Sequence, residues 1–354
     1  MKIHTVRRAV AALAFASVVS LALSACSKES EAGSAPKKPA ESTPSTTIPV
    51  DQNAIDKAKT SADAAAKKIG DPVKAAEAKM GLAGPKKLHF SGIPNVKTSE
   101  MLEKNRPLAD YLTKKLGIEV EYVPMADYNA TVDSFKNGDI DMCWFGGFTG
   151  CQARDQVPGA EAIVCGTRDK KFKSYFVANK SMGWKKSDDF PMQMKGHKFT
   201  FGSAQSTSGR LMPEYFIRQH TKMSPKEFFG AEPSFSGGHD KTLALVEAGT
   251  FECGCVDYTV YDKMTKDKKV DGDIVQVIWV SPEFFDYQFT VRPDLEAKFG
   301  AGFKKKLVDV LTGMDGDDLQ LLDGIQRAGD HLVTCSNEDF EKLHQTAKDI
   351  GLLR

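Results

Sequence analysis

The sequence lacks an excess of charge of either sign. Its 354 residues include 48 Lys and Arg against 47 Asp and Glu, which gives a formal net charge of +1. Proteins that bind DNA or RNA present a basic surface to the phosphate backbone, and a balanced chain does not supply one. The composition therefore excludes nucleic acid as the expected partner.

Recognisable catalytic and metal-binding patterns are also missing. The seven histidines are scattered without the short spacing of metal ligands, and there is no Gly-x-Ser-x-Gly elbow. The segment FECGC has one residue between its cysteines, so it is not a Cys-x-x-Cys redox motif. We therefore predict that the protein is not an enzyme and holds neither a metal nor a cofactor.

Aromatic residues are absent from Ser27 to Lys87, where Ala, Lys, Ser, Pro, Asp and Glu dominate. Such a segment buries too little apolar surface to offset the entropy that ordering removes. We predict that residues 26–87 form a linker that is flexible to about residue 50, with marginal, exposed helices between Asp51 and Gly81. This composition is typical of a spacer that lifts a folded domain away from a membrane.

The first 25 residues have the layout of a signal peptide, because Arg7 and Arg8 precede an apolar run from Ala9 to Ala25. The run ends in LSAC, which resembles a bacterial lipobox and makes Cys26 the lipidated first residue after cleavage. An ordinary signal peptide or a single-span anchor is the alternative, but three serines dilute a run that is already short for a span. We predict a cell-envelope protein, held to the membrane by its lipid anchor on the periplasmic or extracytoplasmic face.

Short apolar runs alternate with helical patterns from Leu88 to Arg354, which is typical of α/β architecture. The alternation of strands and helices begins again near Phe199, and the last part of the chain then returns to the first lobe. We predict two lobes joined by two hinge crossings, with residues 88–180 and 281–354 in lobe I and residues 181–280 in lobe II. A ligand is expected in the cleft between the lobes, at the carboxyl ends of strands and the amino ends of helices.

The segment FGSAQSTSGRLMPEY places a small polar loop between a strand and a helix. Ser206, Thr207 and Ser208 offer hydroxyl groups, and Gly209 lets a ligand approach the backbone closely. The first turn of a helix has unpaired N–H donors and the positive end of the helix dipole, so it attracts anions. The alternative is that one of these hydroxyls simply caps the helix.

Three further loops should face the same cleft. They are Asp127-Tyr128, the segment WFGGFT at 144–149 and the segment GGHD at 237–240. Arg210 and Lys241 lie just beyond the proposed loops and could steer anions, but the interpretation we favour is that both are ordinary solvated residues of a first helical turn. The loops together predict a site for a small anion.

The body of the chain contains four motifs that are specific in combination. They are ADYNATVDSFKNGDIDMCWFGGFTGCQAR, GSAQSTSGRLMPEYF, FSGGHDKTLALVEAG and VDYTVYDKM. Together they resemble the substrate-binding proteins of phosphonate, phosphate and phosphite ABC importers, which have the type II periplasmic binding protein fold. The resemblance covers about residues 88–354. The segments WFGGFTG, STSG and FFDYQFTVRPDL are most similar to a branch labelled as selenate transporters.

The resemblance implies which residues bind the ligand. They are the pocket walls Tyr128 and Phe145, the oxyanion-binding Ser206, Thr207 and Ser208, the donor His239 and the acceptor Asp257. Phe145 stands where phosphonate-binding members often have tyrosine, which removes one hydroxyl contact. His239 has the alternative of a cap or a salt bridge, because Asp240 follows it at a helix start.

An acidic acceptor restricts the ligand. Asp257 repels an oxyanion unless the ligand brings a proton or an ammonium group, because an unpaired buried charge is costly. Phosphite, phosphate and aminophosphonates can donate, whereas fully ionised sulfate and selenate cannot. The alternative is that Asp257 caps the helix that follows it.

Six cysteines remain besides the lipobox cysteine, an even number that allows up to three disulfides in an exported protein. Cys253 and Cys255 are too close for an unstrained bridge to each other, and Cys335 is a candidate partner for a thiol of the first lobe. A less favoured hypothesis puts Cys143, Cys151 or Cys255 in the cleft to capture trivalent arsenic, since some relatives of this family sense arsenite through a cysteine.

These features predict an extracytoplasmic solute-binding lipoprotein of an ABC importer. It would close on a small oxyanion, either phosphonate-, phosphite- or phosphate-like or selenate, and deliver it to a permease with ATPase subunits. The alternative is a receptor subunit that presents the bound oxyanion or arsenite to a histidine kinase. An enzyme acting on phosphonates would need a metal or a nucleophile that the sequence does not offer.

Overall fold

The computed structural model describes residues 86–94 and 98–353. The described residues belong to one structural unit. The predicted signal peptide of residues 1–25, the lipidation site at Cys26 and the linker up to residue 85 lie outside them. Within the described ranges, no helix is both long and apolar enough to cross a membrane.

The first part of the chain alternates strands and helices, as predicted. Its elements are β1 Lys87–Gly92, α1 Thr98–Leu116, β2 Glu119–Tyr122, α2 Tyr128–Asn137, β3 Met142–Phe145, α3 Gly147–Gln156 and β4 Glu161–Gly166. Strand β1 lies parallel to both β2 and β3. Exposed and buried residues alternate along β2, whereas β3 is buried along its whole length, as expected for an edge strand and a central strand.

The middle of the chain builds a second sheet. Its elements are β5 Ser174–Asn179, β6 Phe199–Phe201, a π-helical turn Thr207–Leu211, α4 Met212–Thr221, α5 Pro225–Phe229, β7 Ser234–Phe235, α6 His239–Glu247, β8 Cys253–Asp257, α7 Tyr258–Lys266 and β9 Val275–Val280. The strand order is β7-β6-β8-β5-β9. Short 3-10 turns lie at Arg168–Lys171, Lys180–Met182 and Met192–Met194.

The last part of the chain returns to the first sheet. Its elements are β10 Gln288–Val291, α8 Leu295–Phe299, α9 Phe303–Thr312, a 3-10 segment Gly316–Ile325, β11 Leu332–Thr334, a 3-10 turn Asn337–Phe340 and α10 Glu341–Asp349. The first sheet has the strand order β11-β4-β10-β3-β1-β2. Because β10 runs antiparallel to β3, its amino end adjoins the carboxyl end of β3, where Gln288 pairs with Phe145.

Two segments, residues 167–173 and 281–287, connect the sheets. They pair with each other: Phe172 N–H donates to the Phe284 carbonyl at 2.9 Å, and the Phe284 N–H donates back at 3.0 Å. The Asp286 N–H also donates to the Asp169 carbonyl at 3.0 Å. The predicted α/β fold with two lobes and two crossings is confirmed.

The first crossing lies earlier in the chain than predicted. Residues 174–179 were assigned to lobe I within 88–180, but they form β5, which pairs antiparallel with β8 and β9 in the second sheet. The apolar run at β5 follows β4 after only a short 3-10 turn, so the sequence pattern indicates one more strand of the first lobe. Strand pairing, which the sequence does not show, places it in the other lobe.

A buried ion pair fixes the first crossing to the C-terminal part of the chain. The Arg327 Nε–H donates to Asp169 Oδ2 at 2.8 Å, and both side chains are shielded from solvent. The guanidinium also packs on the rings of Trp144, Phe172 and Tyr287, at 5.6, 5.3 and 4.7 Å from their centroids. Aromatic faces attract such a cation and replace part of its lost hydration.

We expect the Arg327→Met variant to be destabilised by about 3–5 kcal/mol, because it leaves the Asp169 carboxylate buried without its partner. The Asp169→Asn/Arg327→Met double variant should recover at least half of that loss. Asn is neutral and its carbonyl oxygen can still accept the Gly166 N–H, which lies 3.0 Å from Asp169 Oδ2. Urea unfolding measures both values, and a double variant no more stable than Arg327→Met contradicts this account.

Candidate functional site

The polar loop after β6 leads into a π-helical turn. Ser206 is its N-cap, with its Oγ accepting the Gly209 N–H at 2.9 Å, so the capping alternative holds for this serine. The Leu211 N–H reaches back to the Ser206 carbonyl at 2.9 Å, which widens the turn by one residue. Wide turns of this kind are often found at functional sites.

Thr207 forms a hydrogen bond from the second lobe to the first. Its Oγ1 accepts the N–H of Phe148 at 3.0 Å, and Phe148 lies in the first turn of α3. Gly146, just before that helix, leaves little space: a Cβ atom there would lie 3.2 Å from Thr207 Oγ1. The loop of the second lobe therefore packs directly on a helix start of the first.

Ser208 differs from its neighbours because its hydroxyl is unused. Its Oγ is buried, and among the residues that the structure describes it has no hydrogen-bond partner. Its carbonyl accepts the Ser174 hydroxyl at 2.8 Å, so the backbone is held firmly. A buried hydroxyl without a partner is costly and rare in native proteins, which marks this atom as a position for a ligand.

His239 is the first residue of α6 and is fully buried. Its Nδ1 accepts the Asp257 N–H at 3.2 Å, so the neutral ring carries its proton on Nε2. That Nε2 lies 3.4 Å from Ser206 Oγ. Burial lowers the pKa of His239, while Asp257 and Asp240 act in the opposite direction. The ring is thus a neutral donor directed toward the Ser206 turn.

Gly209 fits where no larger residue can. A Cβ atom at this position would lie 2.9 Å from both His239 Cε1 and Ser206 Oγ. Its carbonyl accepts the Gly202 N–H at 2.8 Å. The absence of a side chain lets the turn and the imidazole approach each other.

Asp257 caps helix α7, as the alternative interpretation predicted. Its Oδ1 accepts the N–H groups of Thr259 and Val260 at 2.7 and 3.3 Å, and the Thr259 hydroxyl at 2.7 Å. The second oxygen, Oδ2, accepts the Tyr287 hydroxyl at 3.2 Å. Oδ1 therefore caps the helix, and Oδ2 contacts Tyr287 on the second crossing.

The two expected pocket walls occupy different positions. Tyr128 begins α2 and is buried; burial raises its pKa above the usual value, with a smaller contribution from Asp257, and a hydrogen bond with Ser206 opposes the shift. Its phenol thus reaches the second-lobe turn. Phe145 ends β3, and its ring packs edge-on against Phe135 at 5.4 Å, in the core of the first lobe.

The sequence interpretation missed two residues, Asp286 and Tyr287. Asp286 Oδ1 accepts the Gly147 N–H at 2.8 Å, while Oδ2 is buried with no hydrogen-bond partner within the described ranges. The Tyr287 ring stacks on Trp144 with centroids 6.0 Å apart. Their motif, FFDYQF, indicates the family but not the site. An acidic residue just before an apolar strand is the available signal, but it points to the site only if that strand is known to be antiparallel.

The surroundings of the Asp286 carboxyl favour its protonated form. Burial raises its pKa well above the usual value, and the nearby carboxyls of Asp257 and Asp169 raise it further. Hydrogen bonds from the Gly147 N–H and the Thr207 side chain act in the opposite direction but do not outweigh burial. A neutral carboxyl can donate a hydrogen bond as well as accept one.

Arg210 corrects another expectation, because it is not solvated. It is only 8% exposed, forms an ion pair with Glu214 at 2.5 Å and packs on the rings of Phe201 and Phe235. The wide turn directs this side chain inward along β6, where Glu214 neutralises it. Lys241, in contrast, is exposed.

The thiols proposed to capture arsenic are poorly suited to that role. Burial raises the pKa of Cys143 and Cys255 well above the usual value, and that of Cys151 to about 11. The Cys255 thiol donates to the Gly209 carbonyl at 3.2 Å. Thiolates are the reactive form, so these environments oppose capture of a soft element.

The site as a whole can bind a small anion through uncharged donors. Hydroxyls of both lobes, one imidazole N–H and a helix start converge around Thr207, with the Asp257 and Asp286 carboxyls beside them. A matching family model, described as the periplasmic substrate-binding protein of a phosphonate ABC transporter, covers residues 90–340. The chain belongs to this family. Its members are binding proteins and not enzymes.

Individual relatives agree with this assignment. A probable ABC transporter phosphite binding protein, PhnD1 of Prochlorococcus marinus, is 39% identical over 278 residues, 77% of this chain and 92% of the relative. The phosphate-import protein PhnD of Mycolicibacterium smegmatis is 28% identical over 56% of this chain and 63% of its own length. The solved structure of Prochlorococcus marinus PhnD1 with methylphosphonate matches with a TM-score of 0.71 and 34% identity, over 76% of this chain and 100% of that chain.

We expect the Asp286→Asn variant of this binding protein to gain stability relative to the parent as the pH rises from 5 to 8. The folded state holds the Asp286 proton at a pH where the unfolded state has lost it, so the parent loses up to about 1.4 kcal/mol per pH unit until the folded-state pKa is passed. Asn can still accept the Gly147 N–H. Thermal unfolding at the two pH values measures the difference.

The matched control is Asp317→Asn, which changes an exposed carboxyl. Its stability relative to the parent should not depend on pH in this range. Equal behaviour of the two variants would show that Asp286 is ionised in the folded protein.

Proposed function

We propose that this protein is the extracytoplasmic solute-binding lipoprotein of an ABC importer, and that its two lobes close on a small oxyanion of the phosphonate, phosphite or phosphate class. It then delivers the ligand to a permease with ATPase subunits. One observation carries the proposal: Ser208 Oγ in the second-lobe turn, and Asp286 Oδ2 on the second crossing beside the Thr207 side chain, are buried polar atoms that lack a partner among the described residues. A bound oxyanion would satisfy both.

Burial of the site supports a closing motion. Ser206, Thr207, His239 and Asp257 are each no more than 2% exposed, so a ligand can reach them only if the lobes separate. The hydrogen bond between Phe148 and Thr207 would have to break during that separation. One contact of this kind contributes about 1 kcal/mol, which leaves opening accessible.

The available donors suffice for useful affinity without a cation in the pocket. A dissociation constant of 1 μM corresponds to about −8 kcal/mol. Charge-assisted hydrogen bonds contribute about 1.5–3 kcal/mol each, so about six of them cover this value and the cost of lobe closure. Ser208 Oγ lacks a partner and can supply one such bond directly. The hydroxyls of Ser206, Thr207 and Tyr128 and the His239 N–H would supply the others by exchanging internal contacts for contacts to the ligand.

The two carboxyls favour a ligand that shares a proton. Protonated Asp286 can donate to an oxyanion, while Asp257 Oδ2 can accept from a protonated ligand or an ammonium group. Phosphonate, phosphite and phosphate titrate near neutral pH and can meet both needs. Sulfate and selenate are fully ionised and bring no proton, so they should bind weakly. The phosphite, phosphate and methylphosphonate in the names of the relatives belong to the favoured class.

Calorimetry of the full chain against phosphite, methylphosphonate, phosphate, selenate, sulfate and arsenite tests the ligand class. We expect micromolar or tighter binding for at least one phosphorus oxyanion and at least 100-fold weaker binding for selenate and sulfate. Selenate binding as tight as that of phosphite would overturn the proton argument. An absence of binding below millimolar for every anion would overturn the proposed function.

Replacing Ser208 separates binding from folding. Because Ser208 Oγ forms no hydrogen bond with another described group, Ser208→Ala leaves no orphaned partner, and thermal stability should change little. The ligand loses one charge-assisted hydrogen bond, so affinity should fall about 10- to 100-fold. Ser181→Ala, at an exposed serine of the same lobe, is the matched control and should bind like the parent. Unchanged affinity in Ser208→Ala would remove Ser208 from the site.

The lipid anchor is the second part of the proposal. It is supported by the order of Arg7-Arg8, apolar run and LSAC, and by the aromatic-free linker that follows. Mass spectrometry of the mature protein should find Cys26 as the diacylated first residue. An unlipidated N-terminus at Ser27 or later would refute the anchor and leave the ligand site unaffected.

A further inference from the structure

Cys165 and Cys335 come together at the edge of the first sheet. Strand β11 runs antiparallel to β4, with Val333 opposite Cys165 and Thr334 opposite Val164. The ladder continues one residue further, because the Cys335 N–H donates to the Ile163 carbonyl at 3.2 Å. Side chains alternate between the two faces, so Cys335 and Cys165 lie on the same face as diagonal neighbours.

The Cys165 thiol also influences the surroundings of Cys335. A hydrogen bond with the Cys165 thiol, more than burial, raises the pKa of Cys335. The remaining described thiols have other surroundings: Cys255 donates to a backbone carbonyl, and Cys151 accepts from Arg154. Cys253 is two residues from Cys255 on one strand, which is too close for an unstrained bridge.

We propose that Cys165 and Cys335 form a disulfide bond in the exported protein, an inference that depends on export but not on the identity of the ligand. Compartments outside the cytoplasm are oxidising enough to keep such bonds. The oxidant is the disulfide of a thiol–disulfide oxidoreductase. The Cys335 thiolate attacks one of its sulfurs to form a mixed disulfide. The Cys165 thiolate then attacks the Cys335 sulfur of that mixed disulfide, which forms the Cys165–Cys335 bond and releases the oxidoreductase as a thiolate. The two cysteines lose two protons and two electrons, and the oxidoreductase leaves as a dithiol.

Access favours Cys335 as the attacking residue. Cys165 is fully buried, whereas Cys335 is partly exposed and lines a surface cavity of about 490 Å³ together with Glu161, Lys304 and Ser336. The raised pKa slows attack by Cys335 in the folded protein, but its exposure leaves it as the accessible thiol of the pair.

The bond would enclose most of the folded body in one covalent loop. Both crossings and the whole second sheet lie between Cys165 and Cys335. Cys165 is near the end of β4, directly before the first crossing, and Cys335 follows the segment that carries Arg327. The disulfide would therefore hold together the two chain segments on which the first crossing rests. Long loops are those for which a cross-link restricts the unfolded chain most.

Peptide mapping tests the bond directly. The full chain, exported by a bacterial host and purified without reductant, is blocked with a thiol reagent at acidic pH and digested. We expect a linked pair of peptides that contain Cys165 and Cys335, two mass units lighter than the sum of the reduced peptides, while Cys143, Cys151, Cys253 and Cys255 carry the blocking group. A blocking group on both Cys165 and Cys335, or a bridge from either to another cysteine, overturns the proposal.

Stability gives a second readout. We expect reductant to lower the melting temperature of the parent by on the order of 5–10 °C. Cys335→Ser should melt like the reduced parent and ignore reductant, and Cys151→Ser, the matched control, should keep the reductant-dependent shift. A Cys335→Ser variant that still responds to reductant contradicts the proposal. Affinity for phosphite should be the same in Cys335→Ser and the parent, so a failure of the ligand proposal would be recognised separately.

Discussion

The ion pair between Asp169 and Arg327 is the constraint on which the crossings and the site both depend. It is buried, and removal of two charges from water is repaid only by close geometry and further hydrogen bonds. The aromatic faces around Arg327 include Tyr287, whose hydroxyl in turn donates to Asp257. A charge pair in the first crossing thus orients a side chain of the second crossing, and that side chain holds a carboxylate of the site.

The anion recognition that we propose would rest on local donors, because the net charge of +1 offers no general attraction. The nearest described arginines are already neutralised, Arg210 by Glu214 and Arg327 by Asp169. Hydroxyls and one neutral imidazole carry little desolvation penalty when the lobes are closed. In the proposed function the Asp257 carboxylate adds selectivity, since it opposes an anion that brings no proton, whereas the neutral Asp286 carboxyl would donate to the ligand.

Local chemistry made part of this site predictable from sequence. Helix starts have their own signature, so Ser206 to Gly209 and His239 can be predicted as candidates, whereas Asp257 becomes a site candidate only through the family resemblance. Strand and helix periodicity predict the α/β class. Strand direction and pairing leave no such local signature. Asp286 reaches the site only because β10 is antiparallel to β3, and β5 changes lobe only because it pairs with β8. The inward turn of Arg210 likewise depends on a π-helical residue that helix periodicity does not reveal.

The two interpretations of Asp257 that the sequence left open are compatible, because a carboxylate has two oxygens with separate tasks. Oδ1 caps α7 and fixes the group to the second lobe, while Oδ2 meets Tyr287 on the second crossing. The same crossing carries Asp286, which accepts a backbone N–H from the first lobe. The second crossing therefore contributes two side chains, Asp286 and Tyr287, to the candidate site. The lobe closure proposed above would move these side chains relative to the Ser206 turn and so change the geometry of the pocket.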